Sequence, residues 1–447
     1  MPATPSTIAG FTAQGATLDE LWRTLTLQAG YNAAIVVLGA TLLGIAGGVV
    51  GSFIVLRKRA LLGDALSHAA LPGIAGAFIA ATLLGAQGRS LAVLLPGAAA
   101  GCVAGVLAVQ AIVRWTRLRD DAAIAAVLGV FFGAGIVLLS VIQSMPTGDQ
   151  GGLASFIYGQ TAAMNARDAT LIGAVALGSI ASVAMLFKEF RLACFDREFA
   201  AVQGWPVGAI DLAMTALLVV VTVIGLQAVG LLLIVALLII PSAAARFWTE
   251  RLRVMLPLSG AIGGLSAYLG ACASALLPHA PTGALIVLVA GAIFAISMTL
   301  APSRGVLASI VRLLRLRVRI AVDHALRAAV ERADGARAAQ PGRALTLVLR
   351  MGGHARVSDG RVELTPRGAE RARRVVRAHR LWERYLIEYA DAAPSHVDLS
   401  ADAVEHSLSP ALVADLEDAL RKRGLPAANG PTNSPHPLDS GQQGGAA

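Results

Sequence analysis

Nine long apolar runs, separated by short polar breaks, occupy the chain from residue 31 to residue 301. They cover 31–56, 61–83, 91–113, 122–144, 168–188, 207–226, 228–247, 254–277 and 281–301. Each has about the 20 residues that an α-helix needs to cross the hydrocarbon core of a bilayer. The break Gly225-Leu226-Gln227-Ala228 is the weakest of the set, and one re-entrant segment would change the count to eight or ten. Residues 1–30 are mildly amphipathic (Leu18, Leu21, Trp22, Leu25) and are expected outside the membrane or at its surface. With Asp19 and Glu20 and no basic region, they do not predict a cleaved signal peptide.

After residue 302 the pattern changes. Residues 303–344 contain a basic amphipathic segment (Arg304, Arg312, Arg315, Arg317, Arg319) suited to acidic headgroups, then a loop at 333–344. Leu345–Val348 and Val362–Leu364 flank Gly352-Gly353 and Asp359-Gly360, which predicts a small hairpin. Helical periodicity follows from Pro366 to Ala390 and from Ala401 to Lys422, and the Pro/Gly/Ser/Gln/Asn-rich tail at 426–447 reads as disordered. The expected fold is an all-α polytopic membrane domain of about nine helices (31–302), followed by a small, mainly α domain at 345–425.

Composition supports the division. The chain is 56% hydrophobic and 15% charged, against about 25% charged for a soluble protein. Residues 303–447 hold 22 of the 37 Lys/Arg and 16 of the 28 Asp/Glu. In the first domain, one set of alternate loops carries 12 basic residues, among them Arg57, Lys58, Arg59, Arg197 and Arg251. The other set carries three, Arg23, Arg89 and Arg167. The positive-inside bias therefore puts the N-terminus outside and the C-terminal domain in the cytoplasm. Cys102, Cys194 and Cys272 are far apart and predict neither a disulfide framework nor a thiolate metal site.

Two pairs of chemically able residues stand out. Asp64 and His68 are four apart near the start of the second apolar run, so a helix puts them on one face. Ionisable groups in a membrane helix are expensive, about 3 kcal/mol each on insertion scales, and an Asp/His pair is half of a divalent-metal site. A cap hydrogen-bonded to a histidine would use the same spacing. His379 and Glu383 repeat that spacing in the C-terminal domain. With Asp398, Asp402, Glu405 and His406 they put six hard-metal ligands into 28 residues. A solvated charged helix, with Arg380 and Arg384 as ion-pair partners, would also give this pattern. A third segment, Asp196-Arg197-Glu198-Phe199-Ala200-Ala201-Val202-Gln203-Gly204, reads as a short glycine-ended helix in a cytoplasmic loop, suited to protein docking or simply to a loop. The lysines Lys58, Lys188 and Lys422 are followed by Arg59, Glu189 and Arg423, so no phosphate-binding Gly-Lys-Ser/Thr loop exists. Energy for transport would come from a partner or an ion gradient.

The stretch Leu56–Gly73, LRKRALLGDALSHAALPG, closely resembles the integral permeases of manganese/zinc/iron ABC importers. Glu198–Gly204 is similar to their coupling motif and Val229–Ala245 to a late helix. The resemblance implies that Asp64 and His68 line the transport path. It also implies that Asp196, Glu198, Ala200 and Gly204 mark the contact with a cytoplasmic ABC ATPase subunit. Further implied partners are an extracytoplasmic metal-binding protein, touching the Met145–Arg167 loop, and a second permease copy or sister permease. Divalent metal (Mn²⁺, with Fe²⁺ or Zn²⁺ as alternatives) is implied as substrate and not as a resident cofactor. Leu364–Leu386 and His396–Glu417 resemble the metal-binding and dimerisation part of diphtheria-toxin-repressor-type regulators. His379, Glu383, Glu405 and His406 fall on that family's ligand positions. Asp402 stands where the family has Cys or Glu, and Asp398 where it often has His. Both departures keep oxygen ligands, which favours Mn²⁺ or Fe²⁺ over Zn²⁺. No recognition helix is legible upstream of Leu345, so nucleic acid is not an expected partner. The rival readings are an ion-coupled secondary metal transporter and a membrane-anchored metal-responsive regulator.

Overall fold

In the computed structural model of the chain, the described residues are 18–28, 30–85, 90–145, 164–277, 280–333, 341–358, 361–390 and 410–422. They fall into two compact units, Met1–Ala308 and Ser309–Ala447.

The first unit is a helical bundle. A short α1 (Leu18–Leu25) precedes α2 (Tyr31–Leu56), α3 (Leu61–Leu83), α4 (Leu91–Trp115) and α5 (Asp120–Ser144). Then come α6 (Ala166–Met185), the short α7 (Phe187–Phe195) and α8 (Arg197–Val202), α9 (Val207–Val229), α10 (Leu231–Trp248), α11 (Leu252–Leu276) and α12 (Thr282–Leu300). Eight of these are long and apolar enough to cross a membrane. The ninth, α10, is a shorter apolar helix. Gly283, in the first turn of α12, lies beside Val229 and Leu233, and Ser303, just past α12, donates to the Phe247 carbonyl. α10 therefore runs alongside α12 from end to end, and its 18 residues rise about 27 Å, close to the bilayer core.

The expected break at 225–228 is displaced. Gly225 stays inside α9, where the Ile234 side chain fills the space a Cβ would take. The chain turns instead at Gly230, whose φ of 83° a residue with a Cβ adopts only with strain.

Small residues set the packing, as bundle helices in lipid require. A Cβ on Gly44 would meet the Gly263 carbonyl at 2.4 Å, and one on Gly51 would meet the Leu238 carbonyl at 1.8 Å. Ser259 of α11 donates to the Gly48 carbonyl at 2.6 Å. α2 is thereby clamped between α10 and α11. α3 is clamped in the same way by α4 and α5. Gly101 faces the Ala69 carbonyl, Gly73 faces Gly97, Gly135 faces Leu71 and Pro72, and Cys102 Sγ donates to the Leu66 carbonyl at 3.3 Å.

The second unit takes in most of α13 (Val306–Ala333), then α14 (Arg343–Met351), the antiparallel strands β1 (Ala355–Ser358) and β2 (Arg361–Leu364), α15 (Pro366–Ala390) and α16 (Pro410–Lys422). The hairpin pairs Ala355 with Leu364 and Ser358 with Arg361. Its first strand is not Leu345–Val348, which belongs to α14. Leu345, Val348 and Leu349 recur at helical spacing and pack with Val322, Leu326, Ala355 and Ala372 into one core. The 426–447 tail lies outside the described residues.

Candidate metal site and coupling segment

α3 begins after the turn Arg57-Lys58-Arg59, and Asp64 sits in its first turn, where the helix dipole favours a carboxylate. His68 follows one turn later, with Nε2 3.4 Å from Asp64 Oδ1. The side chains are 32% and 18% exposed, so the pair opens to one side of the bundle. The edge-to-face contact with Phe132 of α5, 4.8 Å between ring centroids at 77°, fixes the imidazole. His68 Nδ1 is buried and has no hydrogen-bond partner among the described residues. Pro72, four residues on, has no N–H to give the His68 carbonyl. One helical turn thus offers a carboxylate, an imidazole and a carbonyl oxygen deprived of its helical donor. Among the described residues no third His, Cys, Asp or Glu joins the pair, so a closed coordination shell needs ligands from elsewhere.

The C-terminal pair is built differently. His379 and Glu383 lie on α15 with Nε2 and Oε1 3.1 Å apart, and their side chains are 2% and 1% exposed. Arg327 Nη1 stands 3.2 Å from His379 Nδ1. Arginine only donates, so Nδ1 accepts and Nε2–H donates to Glu383. Arg380 Nη1 lies 3.5 Å from Glu383 Oε2. Both imidazole nitrogens are therefore engaged by the protein, and the pair is buried rather than lying on a solvated helix. Asp398, Asp402, Glu405 and His406 lie outside the described residues.

The candidate coupling segment, Asp196–Gly204, contains α8. Asp196 caps it, its Oδ1 accepting from the Phe199 N–H at 2.9 Å. Gly204 ends the segment at φ 80°. Ala200 is buried, while Glu198 and the apolar Phe199 and Val202 face outward. The structure adds one residue that the sequence pattern did not single out. Asp211, the fifth residue of α9, takes guanidinium hydrogen bonds from Arg57 and from Arg197, both at 2.8 Å. The visible signal was an acid inside an apolar run, but Arg57 lies 154 residues away.

Comparison with known proteins agrees with this architecture. Residues 31–301 match the ABC 3 transport family, and residues 365–425 match the iron dependent repressor, metal binding and dimerisation domain. The chain is 42% identical over 313 residues to the manganese transport system membrane protein MntC of Bacillus subtilis, covering 70% of each. It is 44% identical to the zinc transport system membrane protein TroC of Treponema pallidum, over 63% of this chain and 93% of that one. Among solved structures, PsaBC from Streptococcus pneumoniae in complex with Fab is similar with a TM-score of 0.55 and 29% identity, over 64% of this chain and 98% of that chain. With more than half of its length matched and its helices arranged as a membrane bundle, the chain belongs to the ABC 3 transport family.

Proposed function

We propose that the chain is the transmembrane subunit of an ATP-driven importer of divalent metal ions, with Mn²⁺ as the first substrate and Fe²⁺ or Zn²⁺ as alternatives. The observation that carries this reading is the Asp64–His68 pair on α3, with its unpartnered Nδ1 and its open side. Names of relatives support the choice of ion, being manganese and zinc transport system membrane proteins. A second permease copy or a sister permease brings its own α3 face to complete the coordination shell. An extracytoplasmic binding protein delivers the ion to the outer end. The N-terminus is outside and the C-terminal unit is cytoplasmic, in keeping with the basic loops. An ABC ATPase docks on α8, whose outward Phe199 and Val202 suit a protein contact.

The mechanism follows from coordination chemistry. The neutral imidazole and the carboxylate replace part of the ion's water shell on the outward-open side. ATP binding in the partner turns the paired α3 faces toward the cytoplasm, and separation of the two faces breaks the shell and releases the ion. The C-terminal unit serves as a cytoplasmic metal sensor that damps transport, with His379 and Glu383 as ligands once Arg327 withdraws. The test is uptake by the complex reconstituted in liposomes, across Mn²⁺, Fe²⁺ and Zn²⁺. Uptake is expected to require ATP and to be lost in Asp64→Ala protein that still assembles. Retained uptake in that variant refutes the site.

A further inference from the structure

We infer that Asp211 is the joint through which movement of α8 reaches the Asp64–His68 pair, an inference that rests on the transport reading above. Its carboxylate holds guanidiniums from two other elements. Arg57 Nη2, in the turn before α3, is 2.8 Å from Oδ2 and 2.7 Å from Oδ1. Arg197 Nη2, on the first residue of α8, is 2.8 Å from the same Oδ2. The Arg57 and Asp211 side chains are 10% and 19% exposed, whereas Arg197 is 51% exposed. The inner pair is shielded and expensive to separate, and Arg197 is an arm reaching in from an exposed helix. The Cys194 thiol, beside all three, has its pKa pushed up to about 11 by burial; the Arg57 and Arg197 charges oppose the rise and the Asp211 charge adds to it. It stays protonated at neutral pH and does not compete with Asp211 for either guanidinium.

From Arg57 the chain reaches Asp64 in a few residues with little slack. The N–H groups of Arg57, Lys58 and Arg59 donate to the carbonyls of Phe53, Val55 and Ile54. Lys58 is held at φ 57°, a left-handed conformation strained for a residue with a side chain. At the far side of the turn, Arg59 Nε donates at 2.7 Å to Asp120, the first residue of α5. α5 in turn brings Phe132 against His68. Two stiff routes therefore start at Asp211 and end on the same pair, one through the turn into α3 and one through Arg59 and α5. Asp211 is a positioning residue in this scheme.

A static brace would make the same contacts, so the test must read coupling rather than folding. The complex, reconstituted with its ATPase and binding protein, is assayed for manganese uptake and ATP hydrolysis in the same vesicles. Asp211→Asn should lower the manganese moved per ATP hydrolysed about tenfold, while manganese affinity of the nucleotide-free complex changes by less than about twofold. Arg197→Ala, which truncates an exposed side chain and spares the fold, should lower the same ratio about threefold and add nothing on top of Asp211→Asn. An unchanged ratio in Arg197→Ala, or additive effects of the two substitutions, overturns the joint. If Asp211→Asn fails to assemble, Arg197→Ala decides alone. A wild-type complex that moves no metal overturns the transport reading, and the joint with it, which is a different failure from a working transporter whose ratio is indifferent to Arg197.

Discussion

Asp64–His68 and His379–Glu383 are the same chemistry at the same helical spacing in two units, and the structure puts them in opposite states. The α3 pair is partly open, with one imidazole nitrogen unclaimed. The α15 pair is sealed, with Arg327 on one nitrogen and Glu383 on the other. Spacing decides only that two side chains share a face. What surrounds the face decides whether they hold an ion or hold each other. On α3 the neighbours are an aromatic edge and small residues, which claim none of the donors. On α15 Arg327 and Glu383 take the two imidazole nitrogens, and Arg380 stands 3.5 Å from the carboxylate.

The sharpest contrast should come from removing the acid of each pair. Glu383→Ala leaves the buried Arg380 and His379 without their carboxylate and should destabilise the C-terminal unit by about 3–5 kcal/mol. Asp64→Ala, at a partly open site, should cost less than about 1 kcal/mol. Protease resistance of the C-terminal unit and thermal unfolding of the full chain measure the two. Comparable losses would mean that the α3 pair is structural.

A smaller effect tests the scaffold of α3. A Cβ at Gly101 would stand 2.4 Å from the Ala69 carbonyl, next to His68 in the chain, so Gly101→Ala should cost about 1–3 kcal/mol and reduce uptake. Gly76, on α3 itself, has nothing within 4 Å of a Cβ, and Gly76→Ala should leave melting unchanged or raise it slightly. Equal effects would deny that α4 positions the site.

The smallest effect belongs to the C-terminal unit. His354 lies beside Arg371, which also binds Asp323. Burial, then the Arg371 charge, lowers its pKa from the ordinary 6.5. The unfolded chain therefore takes up this proton at higher pH than the folded one. Stability from this residue is complete above pH 6.5 and falls as the pH drops below it. His354→Gln should flatten that part of the stability profile, read as melting temperature against pH.

Much of this was legible in the sequence. Span length gave the eight helices long and apolar enough to cross a membrane and the shorter apolar α10. Motif spacing gave both ion pairs and α8. What escaped depended on partners distant in the chain. Gly225 looked like a break because the pattern does not show Ile234 packing against it, and the true break at Gly230 is a matter of φ. Leu345–Val348 is apolar in either a strand or a helix, and only the core it joins decides. Asp211 acquires meaning from Arg57 and Arg197, and the sealing of His379 comes from Arg327, an arginine 52 residues upstream on another helix.

The most direct test is magnetic resonance of the first manganese bound, added below one equivalent to the full transporter. Electron–nuclear double resonance should show a histidine nitrogen coupled to Mn²⁺. That coupling should vanish in His68→Ala and persist in His379→Ala. A coupling that survives His68→Ala and is lost in His379→Ala would contradict the account.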